Sequence, residues 1–340
     1  FLVARAPLAI YGGLFSLITY LLARRICGRW MAILSAYLFL VIGLPYMFVV
    51  LHNWDSSVLA YIALYAAVRF VETRAKGWAF ATGTLAGLTC LFEQSRGAGL
   101  VLGLVLGFPL IACSPGLKGI FTRGNVAALT AGSAWPFVPT FVYFGFHNAL
   151  THMFGDWLWP LSHYSGANRV PYGYINIPFP NWEALYGSGS WIRRLGSALL
   201  TAPCFILPVL PFVAMGVLIV AGLRLRKQAT VDAQVSCGVL ASGVAVGLTI
   251  SLVITERADF DHFVYISPCL LLILGCVLGG RVIRSRLLDQ VRPLLTVILL
   301  FTFTAFGLIL LLRGPMAATH RLETRRGVIR LPKADGVISY

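Results

Sequence analysis

Hydrophobic residues along this chain fall in long blocks, not at the helical or alternating spacing of elements that are apolar on one face only. Ten blocks stand out, near residues 6–23, 30–50, 58–71, 78–92, 98–112, 125–146, 201–223, 235–254, 263–280 and 293–312. A helix rises about 1.5 Å per residue and must cross about 30 Å of hydrocarbon, so roughly 20 mostly apolar residues make one span. The third, fourth and fifth blocks are short, which predicts tilted spans or helices that run on into their flanks. The alternating ten-residue segments of a membrane β-barrel do not occur. Inside lipid every backbone group must be satisfied within the chain, so helices are the spanning element. The pattern predicts an all-α, polytopic transmembrane bundle of about ten helices. Residues 1–312 form the membrane domain, 147–200 one long outer loop, and 313–340 the polar start of a C-terminal region. The chain opens at Phe1 close to an apolar block and ends inside that polar stretch, and we expect it to be a piece of a longer protein.

Composition supports the membrane reading: 58% of the 340 residues are hydrophobic and 11% charged, where soluble domains carry about 25% charged residues. The net charge of +15 raises the question of nucleic acid. The basic residues sit in short loops between apolar blocks, however, and no basic stripe interleaved with stacking aromatics is present, so nucleic acid is excluded as a partner. Alternating the blocks across the bilayer puts fifteen of the 27 basic residues, among them Arg24, Arg25, Arg29, Arg74, Lys76, Arg224 and Arg226, in five short loops on one side. The opposite side holds six before the tail: Arg5, Arg96, Arg169, Arg193, Arg194 and Arg257. Positive-inside sorting makes the first side cytoplasmic.

Acids and histidines partition the other way, which that sorting does not explain. All six histidines and nine of the twelve acids fall on the outer side. The loop 147–200 carries ten aromatics, too many for a disordered linker. Its ends, near 148–159 and 182–199, are expected to form amphipathic helices lying in the interface. Within it, His147, His152 and Asp156 read as interfacial polar residues; His152 and Asp156 share a helical face and admit a metal site.

Three outer turns carry the candidate chemistry. The first, His52-Asn53-Trp54-Asp55-Ser56, has hydrogen-bonding groups able to hold a polar ligand; a capping turn with Trp54 in the aromatic belt accounts for the same residues. The second is Glu93-Gln94-Ser95-Arg96. Ionisable groups at membrane depth are costly unless paired or functional. Either Glu93 and Arg96 form a local pair, or Arg96 grips an anionic head group bidentately while Glu93 holds it. The third, Glu256-Arg257-Ala258-Asp259-Phe260-Asp261-His262, packs five ionisable residues into seven positions. There Arg257 would meet a phosphate, His262 would relay a proton, and Asp259 and Asp261 would orient sugar hydroxyls or bind a divalent cation through oxygen.

The remaining features are structural. Gly83 and Gly87, then Gly99, Gly103 and Gly107, make small-residue stripes expected to let the fourth and fifth helices approach each other. The seven cysteines show no metal-ligand or redox spacing. No phosphate-binding loop, zinc-protease or dinucleotide motif occurs. The stretch Gly327-Val-Ile-Arg-Leu in the tail has the pattern of a first strand of a further domain.

The helix–loop layout, the run Gly87-Leu-Thr-Cys-Leu-Phe-Glu-Gln-Ser-Arg-Gly97 and the turn Arg257-Ala-Asp259-Phe-Asp-His262 resemble the bacterial GT-C class of membrane glycosyltransferases, the group of the protein mannosyltransferases and the lipid A aminoarabinose transferase. The resemblance implies a polyprenyl-phosphate-sugar donor and a glycan, lipid or protein acceptor that meet at the extracytoplasmic face of the bacterial inner membrane. It implies substrate-binding roles for His52, Asn53, Asp55, Glu93, Gln94, Arg96, Arg257, Asp259, Asp261 and His262. It also implies a catalytic Asp in a first outer loop, upstream of Phe1. The rival classes are a flippase or transporter of polyprenyl-linked glycans and a glycan ligase that uses a lipid-linked donor. Convergence of the three outer turns on one cavity separates a site from three unrelated loops.

Overall fold

The computed structural model describes residues 2–46, 52–117, 119–167, 170–175, 189–227, 232–279, 282–283 and 286–313. Among them are twelve α-helices and no strand: α1 (Leu2–Ile26), α2 (Arg29–Tyr46), α3 (His52–Thr73), α4 (Lys76–Phe92), α5 (Gln94–Ala112), α6 (Arg123–Ala134), α7 (Phe137–Phe146), α8 (Leu150–Ala167), α9 (Trp191–Lys227), α10 (Ala233–Ile254), α11 (Phe260–Leu278) and α12 (Arg286–Arg313). Over its described residues each apolar block falls mainly on helix, and the block at 125–146 on two helices. The three short blocks do run on into their flanks, giving helices of 22, 17 and 19 residues for α3, α4 and α5. The block at 125–146 divides into α6 and α7 at Trp135–Pro136, because proline has no amide proton to donate and its ring crowds the preceding turn. The C-terminal tail with its Gly327-Val-Ile-Arg-Leu stretch, and residues 182–188 of the second expected interfacial helix, lie outside the described residues; from Trp191 onward that helix is the outer end of α9.

Helices α3, α5, α9, α10, α11 and α12 are long and apolar enough to cross a membrane. The protein is an integral, polytopic membrane protein. Exposed Phe205, Val209, Phe212, Ile219 and Leu223 on α9, with Leu294, Val297, Phe301 and Leu308 on α12, form faces that lipid would cover favourably. At one end of the bundle Arg25 Nε stands 3.0 Å from Glu72 and Arg69 Nη1 2.7 Å from the same carboxylate. Arg74 donates to the Gly116 carbonyl and Arg224 to that of Val282. The arginine-rich loops therefore meet at one end, as strict alternation of spans requires.

The core is aromatic where α1, α2, α3 and α11 meet. Phe15, Phe39, Trp54 and Tyr265 pack in a chain, with ring centroids 5.1 Å apart for Phe15–Phe39 and 4.8 Å for Trp54–Tyr265. Trp54 is thus a buried core residue, not part of the aromatic belt.

The glycine stripes serve different partners from those expected. Gly83 and Gly87 on α4 face α6, where a Cβ on Gly87 would stand 2.5 Å from the Ser133 carbonyl. Gly99 and Gly103 on α5 meet Gly243 and Gly247 on α10, where a Cβ on Gly99 would stand 2.8 Å from the Gly247 carbonyl and one on Gly243 2.6 Å from that of Gly103. Stripes four residues apart leave a groove as deep as the helix backbone, and here each glycine groove receives a helix other than its neighbour in sequence. At its start α10 is capped by Asp232, whose side chain accepts from the Gln234 and Val235 amides. Asp232→Ala is expected to cost about 1 kcal/mol, read as a lowered unfolding midpoint in detergent.

Candidate functional site

The close α5–α10 seam brings the start of α5 beside the end of α10, at the end of the bundle opposite the arginine-rich loops. Helices α4 and α5 are separated only by Glu93, whose extended backbone (φ −154°, ψ 108°) reverses the chain direction. Gly97 makes so sharp a reversal possible: any Cβ there would strike the backbone of Cys90.

The Glu93 carboxylate is saturated. Oε2 accepts from Ser56 Oγ at 2.6 Å and Arg96 Nε at 3.0 Å, and Oε1 from Ser95 Oγ at 3.2 Å and Arg96 Nη2 at 3.4 Å. Arg96 is 2% exposed. Its guanidinium also donates to Ser57 Oγ and lies 5.8 Å above the Tyr265 ring. Burial alone pushes the Glu93 carboxyl up, but the Arg96 charge and the hydrogen bonds from Ser56 and Arg96, with His52 nearby, outweigh it and hold the group below the usual carboxylate range. The local Glu93–Arg96 ion pair is formed. It fastens α3, α5 and α11 together, and Arg96 stands behind the wall of the cavity that Glu93 lines.

The third turn is built by its backbone. Glu256 takes a left-handed conformation (φ 55°), which is unfavourable for a residue with a Cβ. Asp259 caps α11: its Oδ1 accepts from the His262 amide at 2.9 Å and lies 2.5 Å from His262 Nδ1. That contact occupies Nδ1 and leaves Nε2 as the nitrogen for a ligand. A segment of the long loop is laid along this turn. Val170 pairs with Arg257 in a parallel bridge; the Val170 amide donates to Glu256, the Gly173 amide to Ala258, and the Phe260 amide to the Tyr174 carbonyl at 2.9 Å. Tyr172 anchors the segment, its hydroxyl donating to the Pro208 carbonyl at 2.7 Å and its ring packing on Phe212 and Phe263. Burial pushes the Tyr172 phenol up to about 12, so the donor keeps its proton.

A cavity of about 510 Å³ opens between these parts, and its polar lining includes His52, Glu93, Gln94, Ser95, Arg257 and His262. Its apolar lining includes Phe92, Leu102, Ile250 and Ile254, with Trp157 of α8. Phe92 and Ile254 leave large apolar surface exposed at the cavity. All three turns therefore contribute, though not every expected residue does. Asn53 is buried in α3. Asp55 accepts from Tyr11 on α1 at 2.5 Å. Asp259 is bonded to His262 and, like Asp261, is not among the residues that line the cavity. His147, His152 and Asp156 are exposed. Among the described residues no three His, Cys, Asp or Glu side chains gather as a metal site. Sequence reasoning missed Trp157, Ser251 and Thr255 as lining residues, and the loop segment at 170–175. Pro171 and Gly173 do signal a turn there, but nothing in the sequence shows what it pairs with.

No family model, no curated protein and no solved structure matches this chain.

Proposed function

We propose that this protein is a glycosyltransferase of the bacterial inner membrane that moves a sugar from a polyprenyl-phosphate donor to an acceptor at the extracytoplasmic face. The observation that supports the reading is the cavity itself, lined by both ionisable and apolar side chains at the arginine-poor end of the bundle. A donor with a polar head and a hydrocarbon tail needs both kinds of surface at once. In the reaction the bond between the anomeric carbon and the phosphate oxygen breaks while the acceptor oxygen bonds to that carbon. The hydroxyl proton leaves to a base, and negative charge builds on the departing phosphate. Among the described residues that line the cavity, Arg257 carries the guanidinium, and it neutralises that charge. His262, its Nδ1 held by Asp259, offers Nε2 to relay the proton or to bind a sugar hydroxyl. Glu93 is a poor base, with both oxygens occupied and its carboxyl held low; Gln94 and His52 are left to contact the sugar.

Charge placement favours this reading over a transporter. Transporters set their substrate groups near the bilayer midplane, whereas no charged residue lies in the middle third of any spanning helix.

In nanodiscs of the full-length protein, Arg257→Ala is expected to weaken binding of undecaprenyl phosphate by about tenfold or more. Asp259→Asn is expected to slow sugar transfer from an undecaprenyl-phosphate donor by about tenfold or more through misorientation of His262. Binding and transfer unchanged in both variants would sink the proposal.

A further inference from the structure

We propose that Tyr172 is a positioning residue for Arg257: the loop segment 170–175 is a strap that sets where the guanidinium points. The inference rests on Arg257 being the anion-binding group of the cavity, as proposed above.

Arg257 has no helix to orient it. It follows the last turn of α10 and precedes the cap of α11, and the residue before it, Glu256, is held in the left-handed region. Such a backbone persists only where its surroundings over-determine it. The strap supplies that determination. Three backbone hydrogen bonds, from the Val170, Gly173 and Phe260 amides, span both sides of Arg257, and Val170 pairs with Arg257 itself. Six residues of loop cannot hold a turn unless they are themselves fixed. Tyr172 fixes them to two spanning helices: its hydroxyl to the Pro208 carbonyl and its ring to Phe212 on α9, and its other ring contact to Phe263 on α11, one residue beyond His262. Gly173 completes the anchor with φ +70°, a conformation that favours glycine. The path from Tyr172 to the guanidinium therefore runs through backbone pairing. Tyr172 does not line the cavity, so a ligand effect of its substitution travels either through that pairing to Arg257 or through Phe263 to His262, and only the first is lost in an Arg257→Ala background.

The test is a double-mutant cycle on the full-length protein in nanodiscs, with undecaprenyl phosphate as the probe and phosphatidylglycerol as the control lipid, joined to amide hydrogen exchange over 170–174 and 257–260. Tyr172→Ala is expected to speed exchange in both segments and to weaken probe binding about tenfold, while in an Arg257→Ala background it weakens binding by less than about twofold. Tyr172→Phe, which keeps both ring contacts, should fall between wild type and Tyr172→Ala. An equal loss of affinity in both backgrounds would mean a general structural role and overturn the inference, as would unchanged exchange at Phe260 in Tyr172→Ala. If Arg257→Ala binds the probe as wild type does, the phosphate reading of the cavity fails, and the inference with it; if Arg257→Ala loses the probe but Tyr172→Ala does not, the inference alone fails.

Discussion

Gly247→Val is expected to destabilise the protein by about 3 kcal/mol and to abolish binding at the cavity. A Cβ at 247 would stand 2.5 Å from the Gly103 amide nitrogen and closer still to the Gly99 carbonyl. These are backbone atoms of α5, which cannot rotate aside as a side chain would, so the two helices must separate. The cavity is built on this seam: Gly99 and Ser251 form part of its wall, and Gly247 lies one turn below Ser251 on α10. Separation moves Glu93 and Gln94 at the head of α5 away from Arg257 just beyond α10, so stability and ligand binding fall together. Gly216→Ala on α9 is the matched control. No atom lies within 4 Å of its Cβ position, and alanine is the better helix former, so that variant should unfold at or slightly above the wild-type midpoint. Unfolding midpoints in detergent, with undecaprenyl phosphate binding measured alongside, decide the matter; a Gly247→Val protein as stable as wild type would mean that the seam is not close-packed.

This seam also marks where the sequence stops being informative. The apolar blocks give away the helices, of which, among the described residues, six rather than ten are long and apolar enough to span, because the hydrocarbon thickness imposes a length on a span. Which helices touch is not imposed by the bilayer, since lipid covers an apolar face as well as another helix does. The glycine stripes on α4 and α5 are therefore legible as close-packing surfaces, but their partners α6 and α10 are not. The site follows the same division. That the three outer turns carry ionisable groups, at least one of each turn lining the cavity, could be read in part from charge stranded between apolar runs. That Asp55 turns to Tyr11, that Arg96 is sealed behind Glu93, and that Arg257 is strapped by residues 170–175 depends on long-range contacts. Residues 55 and 56 are adjacent, yet one bonds α1 and the other the α4–α5 break, because successive side chains on a helix point about 100° apart.

Arg96→Met is expected to reverse the pH dependence that Glu93 contributes to stability. In the wild type, burial raises the Glu93 carboxyl, and Arg96 with its hydrogen bonds more than offsets that, leaving the folded-state value below the ordinary 4.5. A depressed carboxylate contributes stability that is fully present above the unfolded value and is lost as the pH falls through the folded one. Without Arg96 the burial remains and its main opponent is gone. The folded-state value then rises above 4.5, and the sign changes: the contribution is complete below the unfolded value and drains away as the pH rises through the folded one. At neutral pH the variant also carries a carboxylate with 14% side-chain exposure and no cation against it, a loss of about 3–5 kcal/mol. The double variant Glu93→Gln/Arg96→Met removes both charges and should recover much of that loss, because what is costly is the stranded charge and not the missing pair. Unfolding midpoints measured across the acid range separate the possibilities: wild type gains stability with rising pH in this window, Arg96→Met loses it, and the double variant is flat with respect to this group. Parallel curves for wild type and Arg96→Met would show that Arg96 does not govern the Glu93 carboxylate, and would remove the reason for placing Glu93 in the frame of the cavity and not in its chemistry.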